Sequence, residues 1–150
     1  MSPPVSNKVL GIDLGTTYSA VAHIDETGRP QILSNRDGDQ TTPSVVYFES
    51  ADNVVVGMEA KNGQKVFPDD TVSLIKRIMG NRIEMDFHGN TYTPESISAL
   101  ILGYLADSAR DALDEDDLKH VVITVPAYFG LTEKKATQTA GTIAGLEVQG

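Results

Sequence analysis

The sequence predicts an α/β protein in which a mixed sheet is flanked by helices, and three features support this. Residues 8–14, 19–25 and 31–33 are short, largely apolar segments separated by glycine-containing turns, as in consecutive antiparallel strands. A long amphipathic segment follows residue 93. Residues 121–125 are apolar on both faces, as in a central parallel strand that helices cover. Hairpins, helices and a parallel strand together indicate a mixed sheet.

Composition excludes several functional classes. The 150 residues include 12 Lys+Arg and 21 Asp+Glu, a net charge of −9, which argues against a nucleic-acid partner. The absence of cysteine excludes disulfides, thiolate metal sites and a cysteine nucleophile. No segment has the apolar pattern of a signal peptide or a membrane-spanning helix. A soluble, cytoplasmic protein without a membrane partner is therefore expected.

The middle of the chain predicts short elements joined by polar loops. They are strands at 44–48 and 54–56, a helix at 58–65, a helix at 71–78 that ends at Gly80, and a hairpin at 83–93 that turns at Gly89 and Asn90. The long helix should then begin with Thr93 as N-cap and Pro94 in the first position. It should end near Leu113, because the acidic run that follows is unfavourable at a helix C-terminus.

A second long helix and a further strand are expected at the end of the chain. Thr132 is the predicted cap of this helix, and Gly145 is its predicted C-terminal glycine. The predicted buried stripe consists of Ala136, Ala140, Ile143 and Ala144. Another strand begins at Leu146. Since a domain seldom ends where a central strand begins, Gly150 is interpreted as a truncation point.

The stretch GIDLGTT, which starts at Gly11, places a carboxylate and a tight turn directly after an apolar strand. A buried Asp13 would need a structural partner or a cation. Gly15 permits a close backbone approach and a positive φ, so the amides and hydroxyls of Thr16 and Thr17 can surround a phosphate. Asp13 can then hold a magnesium ion through water. A hairpin whose Asp13 and threonines bond to their own backbone is the alternative, and the local residues leave both open.

Four motifs follow one another along the chain. They are GIDLGTTYSAVA, then TPS at residues 42–44, then IKRIMG from Ile75, and finally VVITVPAYF with ATQTAGTIAGLEV after it. Together with YTPESISALIL, they resemble the seventy-kilodalton heat-shock chaperones of the DnaK type over residues 8–148. The wider actin and sugar-kinase superfamily shares the first motif but not the VPAYF and AGTIAGLEV segments.

The resemblance implies the first lobe of an actin-like, ribonuclease-H-like ATPase domain. Residues 6–42 and 94–150 would form a basal subdomain, and residues 43–93 an upper one. In the family, ATP is hydrolysed in a cleft between two lobes, and hydrolysis is coupled to peptide binding in a separate domain. The implied cofactors are ATP or ADP and Mg²⁺. The implied partners are unfolded client peptides and co-chaperones of a cytoplasmic stress-response protein.

The resemblance also assigns site residues by position. Asp13 matches the residue that faces the hydrated magnesium, and Gly15, Thr16, Thr17 and Tyr18 match the turn around the phosphates. Lys76 matches a catalytic lysine that reaches the γ-phosphate and the attacking water. Pro126 and Tyr128 match an interdomain relay, and Lys134 stands where the family commonly has a relay arginine. Without the resemblance, Lys76 would be a solvated helix lysine, Pro126 a strand stop and Tyr128 a core residue.

Two departures and one omission limit what this chain is expected to do. Gly130 and Leu131 replace a polar Asn-Asp pair, and Lys134 lacks the planar fork of arginine, so interdomain coupling is expected to differ. The family's second phosphate loop and adenosine-binding residues would lie beyond residue 150. The chain alone is therefore expected to bind ATP weakly or not at all, without turnover, whereas a longer parent is expected to be an ATPase.

Other functions and states stay open at this point. The edge near Val148 and an uncovered cleft face are expected to favour self-association. One alternative function is the first lobe of a different actin-like ATPase, such as a sugar kinase or a filament subunit. Another is a binding module that has kept the fold and lost hydrolysis.

Overall fold

The computed structural model describes residues 8–25, 27–73, 82–125 and 129–149. The strands are β1 (Val9–Asp13), β2 (Tyr18–Ile24), β3 (Pro30–Leu33), β4 (Thr42–Pro43), β5 (Val45–Phe48), β6 (Val54–Val56), β7 (Thr71–Ser73), β8 (Met85–Phe87), β9 (Asn90–Tyr92), β10 (His120–Thr124) and β11 (Glu147–Val148). The α-helices are α1 (Met58–Gly63), α2 (Pro94–Leu113) and α3 (Leu131–Ile143), and a 3₁₀ turn spans Pro68–Asp70. Within these ranges no helix has the length and apolarity needed to cross a bilayer.

A mixed six-stranded sheet, the large sheet, organises the fold. Its order is β11-β10-β1-β2-β3, with β4 paired to β2. Strand β1 is parallel to β10 and antiparallel to β2, and β2 is antiparallel to β3. The three hairpin-linked strands and the parallel strand at 120–124 are thus confirmed. Because β1 and β10 are parallel, their carboxyl ends, Asp13 and Thr124, lie side by side.

One face of the large sheet carries the hydrophobic core. Leu10, Ile12 and Val121 are fully buried there and pack with Ile97 and Ile101 of α2. Helix α3 packs on α2 and approaches the sheet closely, because a Cβ at Gly141 would lie 2.5 Å from Val148 Cγ2. The sequence predicted that helices cover both faces of β10. Among the described residues, however, burial alternates along this strand, and Val122 is only half-buried. The described helices α2 and α3 both pack on the same face.

The start of α2 agrees with the sequence prediction, whereas that of α3 differs. Thr93 caps α2 through a reciprocal box in which its Oγ1 accepts from the Ser96 amide and the Ser96 Oγ accepts from the Thr93 amide. Helix α3 begins at Leu131 with Gly130 as N-cap, so the prediction of Thr132 as cap is wrong. The predicted buried stripe of α3 is also wrong at Ile143, which is 54% exposed. Thr137 and Gly141 occupy buried positions of the helix instead.

A three-stranded antiparallel sheet, the small sheet, has the order β6-β5-β7. The prediction of a helix from residue 71 is wrong at 71–73, since Val72 and Thr71 pair with Val46 and Tyr47 of β5. Residues 74–78 and Gly80 lie outside the described residues. The predicted hairpin is present as β8 and β9, and its two-residue turn is His88 and Gly89, with φ of 52° and 86°. These left-handed values explain why the turn comes one residue earlier than predicted.

The C-terminus of α2 offers a test of helix electrostatics. Asp114 caps the helix in the left-handed region, with φ 53° and ψ 44°, and places a carboxylate at the negative end of the helix dipole. Replacing Asp114 with asparagine keeps a side chain that tolerates this conformation and removes the charge. We expect the free energy of unfolding to rise by about 0.3–1 kcal/mol at low salt in chemical denaturation. Asp116→Asn, outside the helix, is the control, and an equal gain from both variants would contradict the dipole argument.

Candidate functional site

Asp13 ends β1 at the edge where β10 also ends. Its Oδ1 accepts a hydrogen bond from Thr124 Oγ1 at 3.1 Å, and the residue is exposed. The premise that this carboxylate is buried is therefore wrong, because the last position of the strand faces solvent whereas Ile12 faces the core. Its second oxygen, Oδ2, accepts no hydrogen bond from the described part of the chain. One oxygen is thus oriented by Thr124, and the other is open to solvent.

Gly15 is required by a close backbone contact. A Cβ built at this position would lie 2.1 Å from the carbonyl oxygen of Tyr18, so any side chain would collide with main chain. The close contact is thus with the chain's own backbone, and the approach of this backbone to a phosphate stays a prediction. A positive φ is not observed at Gly15, which is not among the described glycines that have one. The turn therefore depends on glycine for space and not for a left-handed conformation.

Gly15 has both of its backbone groups hydrogen-bonded inside the protein. Its amide donates to Ser19 Oγ at 3.3 Å, and its carbonyl accepts from Ser44 Oγ at 2.8 Å. The two hydroxyl oxygens lie 2.8 Å apart, and the residues are 2% and 0% exposed. Ser19 and Ser44 are named the serine pair below. The amide of Gly15 is therefore not available to a ligand.

The remaining hydrogen-bond donors of the turn belong to Thr16 and Thr17. Thr16 is half-buried and Thr17 is exposed. Across residues 8–25, 27–73, 82–125 and 129–149, their amides and hydroxyls form no hydrogen bond, and only the Thr17 carbonyl is used, by the amide of Ser44 at 2.9 Å. The alternative in which Asp13 and the threonines bond to their own backbone is not observed in these ranges. Two amides and two hydroxyls can therefore meet an anion.

Tyr18 brings a cation beside the turn. The side chain is 42% exposed, and Lys61 of α1 donates from Nζ to its hydroxyl at 2.9 Å. The same Nζ lies 5.1 Å from the ring centroid, within the range of a cation–π contact. Sequence reasoning missed Lys61, because the two residues are 43 positions apart and no local pattern links them. This ammonium favours negative charge near the turn.

The donor set around Asp13 fits a hydrated magnesium ion. No group of three or more His, Asp or Glu side chains suited to a metal occurs among the residues that the structure describes. Magnesium keeps several waters and is commonly bound by one or two carboxylates together with substrate phosphates. A single solvent-facing carboxylate beside free amides and hydroxyls matches that mode of binding. It does not match direct chelation by several protein ligands.

Four predicted residues lie away from this arrangement or outside the described ranges. Lys76, Pro126 and Tyr128 are among the residues that the structure does not describe. Lys134 is exposed in the first turn of α3, where its amide donates to the Gly130 carbonyl at 3.0 Å. The neighbouring Leu131 is 70% exposed. The described residues therefore bring together only the part of the predicted site that spans 13–18.

An open groove lies apart from the turn, between α2, β6 and the loop after β3. Arg36 and Asp37 of that loop contact α2, with Arg36 Nε 2.8 Å from Asp111 Oδ2 and the Tyr104 hydroxyl 3.3 Å from Asp37 Oδ2. Burial, and after it the charge of Asp37, raises the pKa of Tyr104. No residue of the turn lines this groove. The groove and the phosphate-type donors are therefore separate features.

A comparison with protein families identifies a match that covers nearly the whole chain. The family model described as "Hsp70 protein" matches residues 9–86 and 81–150. The matched ranges include Asp13, the turn that follows it and both members of the serine pair. The site geometry and the family match therefore concern the same residues.

Proposed function

The chain belongs to the Hsp70 family of ATP-binding chaperones, and on this premise we propose that its turn after β1 holds the phosphates of ATP. The observation that carries the proposal is the pair of Thr16 and Thr17, whose amides and hydroxyls have no partner among the described residues, whereas both backbone groups of Gly15 are hydrogen-bonded. Backbone amides and hydroxyls are suitable donors to phosphate oxygens. Tyr18 lines the same turn and supports Lys61 beside it.

Asp13 is proposed to orient the metal ion of the nucleotide. Thr124 fixes one carboxylate oxygen, so the other can accept hydrogen bonds from water bound to Mg²⁺. When bound, the ion would neutralise negative charge on the phosphates. Lys76 is proposed as the catalytic lysine that stabilises charge on the transferred phosphoryl group. This role for Lys76 rests on the resemblance, since the residue lies outside the described ranges.

We infer an actin-like, ribonuclease-H-like first lobe with a basal subdomain at 6–42 and 94–150 and an upper one at 43–93. The large sheet and the small sheet support this division, because the first takes its strands from residues 9–43 and 120–148 and the second from 45–73. Pro126, Tyr128 and Lys134 would relay the nucleotide state to a separate domain.

The parent protein is proposed to be a cytoplasmic chaperone that couples ATP hydrolysis to the binding of unfolded client peptides, with co-chaperones as regulators. Membership of the Hsp70 family favours this function over a sugar kinase or a filament subunit. The substitution of Lys76 distinguishes this function from the alternative of a non-catalytic binding module. Self-association of the present chain through the edge near Val148 stays a prediction.

Titration of the present chain with Mg-ATP tests the proposal. We expect no micromolar complex in calorimetry, because the turn contacts a nucleotide from one side only. At millimolar Mg-ATP, the amide NMR signals of Thr16 and Thr17 should shift, since these groups are the free donors. Adenosine, which lacks phosphates, is the control and should leave both signals unchanged. Micromolar affinity would contradict weak binding, and unchanged threonine signals would contradict the phosphate site.

A further inference from the structure

The serine pair forms a closed ring of hydrogen bonds with Gly15. Each hydroxyl has one proton, and Ser44 Oγ uses its proton on the Gly15 carbonyl at 2.8 Å. Ser19 must therefore be the donor in the 2.8 Å contact between the two hydroxyls. The Gly15 amide completes the ring by donating to Ser19 Oγ at 3.3 Å. Every donor in the ring has an acceptor, and each bond polarises the next.

The ring determines which way the neighbouring amide points. In a trans peptide the carbonyl of Gly15 and the amide of Thr16 lie in one plane and point in opposite directions across the C–N bond. Because the carbonyl is turned toward the buried hydroxyl of Ser44, the Thr16 amide is directed away from it. The amide of Ser44 also donates to the Thr17 carbonyl at 2.9 Å, so Ser44 holds the turn at two points.

We infer that Ser19 and Ser44 are positioning residues that hold the turn in its phosphate-binding form, an inference that rests on the proposed function. Neither serine offers a group to the nucleotide, because both are buried and their hydroxyls are used in the ring. Their effect passes through the Gly15–Thr16 peptide. Without Ser44, the half-buried carbonyl of Gly15 loses its donor and the peptide plane is free to rotate.

The position of Ser44 connects this ring to the rest of the fold. Ser44 lies between β4 and β5, so it joins the large sheet to the small one. On the other side, Thr42 pairs with Ser19 in the sheet and accepts a hydrogen bond from Asn35 Nδ2 at 2.8 Å. The position of the serine pair is therefore determined by the surrounding strands and not by the turn itself.

Alanine variants of the two serines, alone and together, test the inference in the present chain. Each single variant should weaken Mg-ATP binding, read from the Thr16 amide shift, by about tenfold. The double variant should bind no more weakly than the singles, because breaking the ring once removes its effect. Ser108→Ala is the matched control, since Ser108 is a buried serine of α2 whose Oγ has no partner in the described chain. Unchanged affinity in both single variants, or additive losses, would overturn the inference.

A measurement without nucleotide separates this inference from the proposed function. Ser19→Ala removes the acceptor of the Gly15 amide, so hydrogen exchange at Gly15 should accelerate, while Ser108→Ala leaves it unchanged. If exchange does not change, the serine pair does not hold the turn, whatever the nucleotide does. If exchange accelerates and the native chain shows no threonine shift with Mg-ATP, the serine pair holds the turn but the turn does not bind phosphate, so the proposed function alone fails.

Discussion

Replacing Gly15 with alanine is expected to abolish the response of the turn to Mg-ATP and to lower the free energy of unfolding by about 1–3 kcal/mol. The new Cβ would lie 2.1 Å from the carbonyl oxygen of Tyr18. This obstacle is main chain, which cannot rotate away as a flexible side chain can. The turn must open, and the bonds from Gly15 to the serine pair are then lost.

Gly103→Ala is the matched control for this substitution. Gly103 lies within α2, and a Cβ there would meet nothing within 4 Å. Alanine is better than glycine inside a helix by roughly 1 kcal/mol, so this variant should gain stability and keep the threonine shifts. Urea denaturation and the Mg-ATP titration measure both quantities. A Gly15→Ala chain with native stability and native shifts would show that the contact does not constrain the turn.

Replacing Lys76 with alanine in a longer protein that contains this chain is expected to lower ATP turnover by about 10²–10³-fold. A fixed ammonium near the transferred phosphoryl group stabilises the charge that spreads over its oxygens in the transition state. Single-turnover hydrolysis measures this step without interference from product release. Nucleotide affinity should change far less than turnover.

Lys65→Ala provides the control for loss of a lysine, since Lys65 is exposed beyond the end of α1. It should hydrolyse ATP at the native rate. If Lys76→Ala also keeps the native rate, Lys76 is not catalytic. Should the native protein show no hydrolysis at all, it is a binding module that has kept the fold.

Local signals in the sequence predicted the parts of the fold that depend on near neighbours. The turns of the β1–β2–β3 hairpins and the Thr93 cap involve residues only a few positions apart, and they are confirmed. The predicted helix at 71–73 failed because the strand there exists through pairing with β5, which lies more than 20 positions earlier. A local sequence pattern carries no information about such a distant partner.

The same distinction between near and distant neighbours applies to the candidate site. The close approach at Gly15 followed from the tightness of the turn, yet the exposure of Asp13 depends on where β1 ends in the sheet. Ser44 and Lys61 were missed as site residues because they reach the turn from 29 and 43 positions away. A prediction of the β2–β4 pairing would have placed Ser44 opposite Thr17 and so next to the turn, since Tyr18 pairs with Pro43.

The location of Ser44 has a mechanical consequence. The segment at 42–44 connects the large sheet to the small one, and Ser44 within it makes two hydrogen bonds to the turn. A displacement of the small sheet would therefore move Ser44 and rotate the Gly15–Thr16 peptide plane. Such a displacement would change the direction of the Thr16 amide without any contact between the small sheet and a ligand.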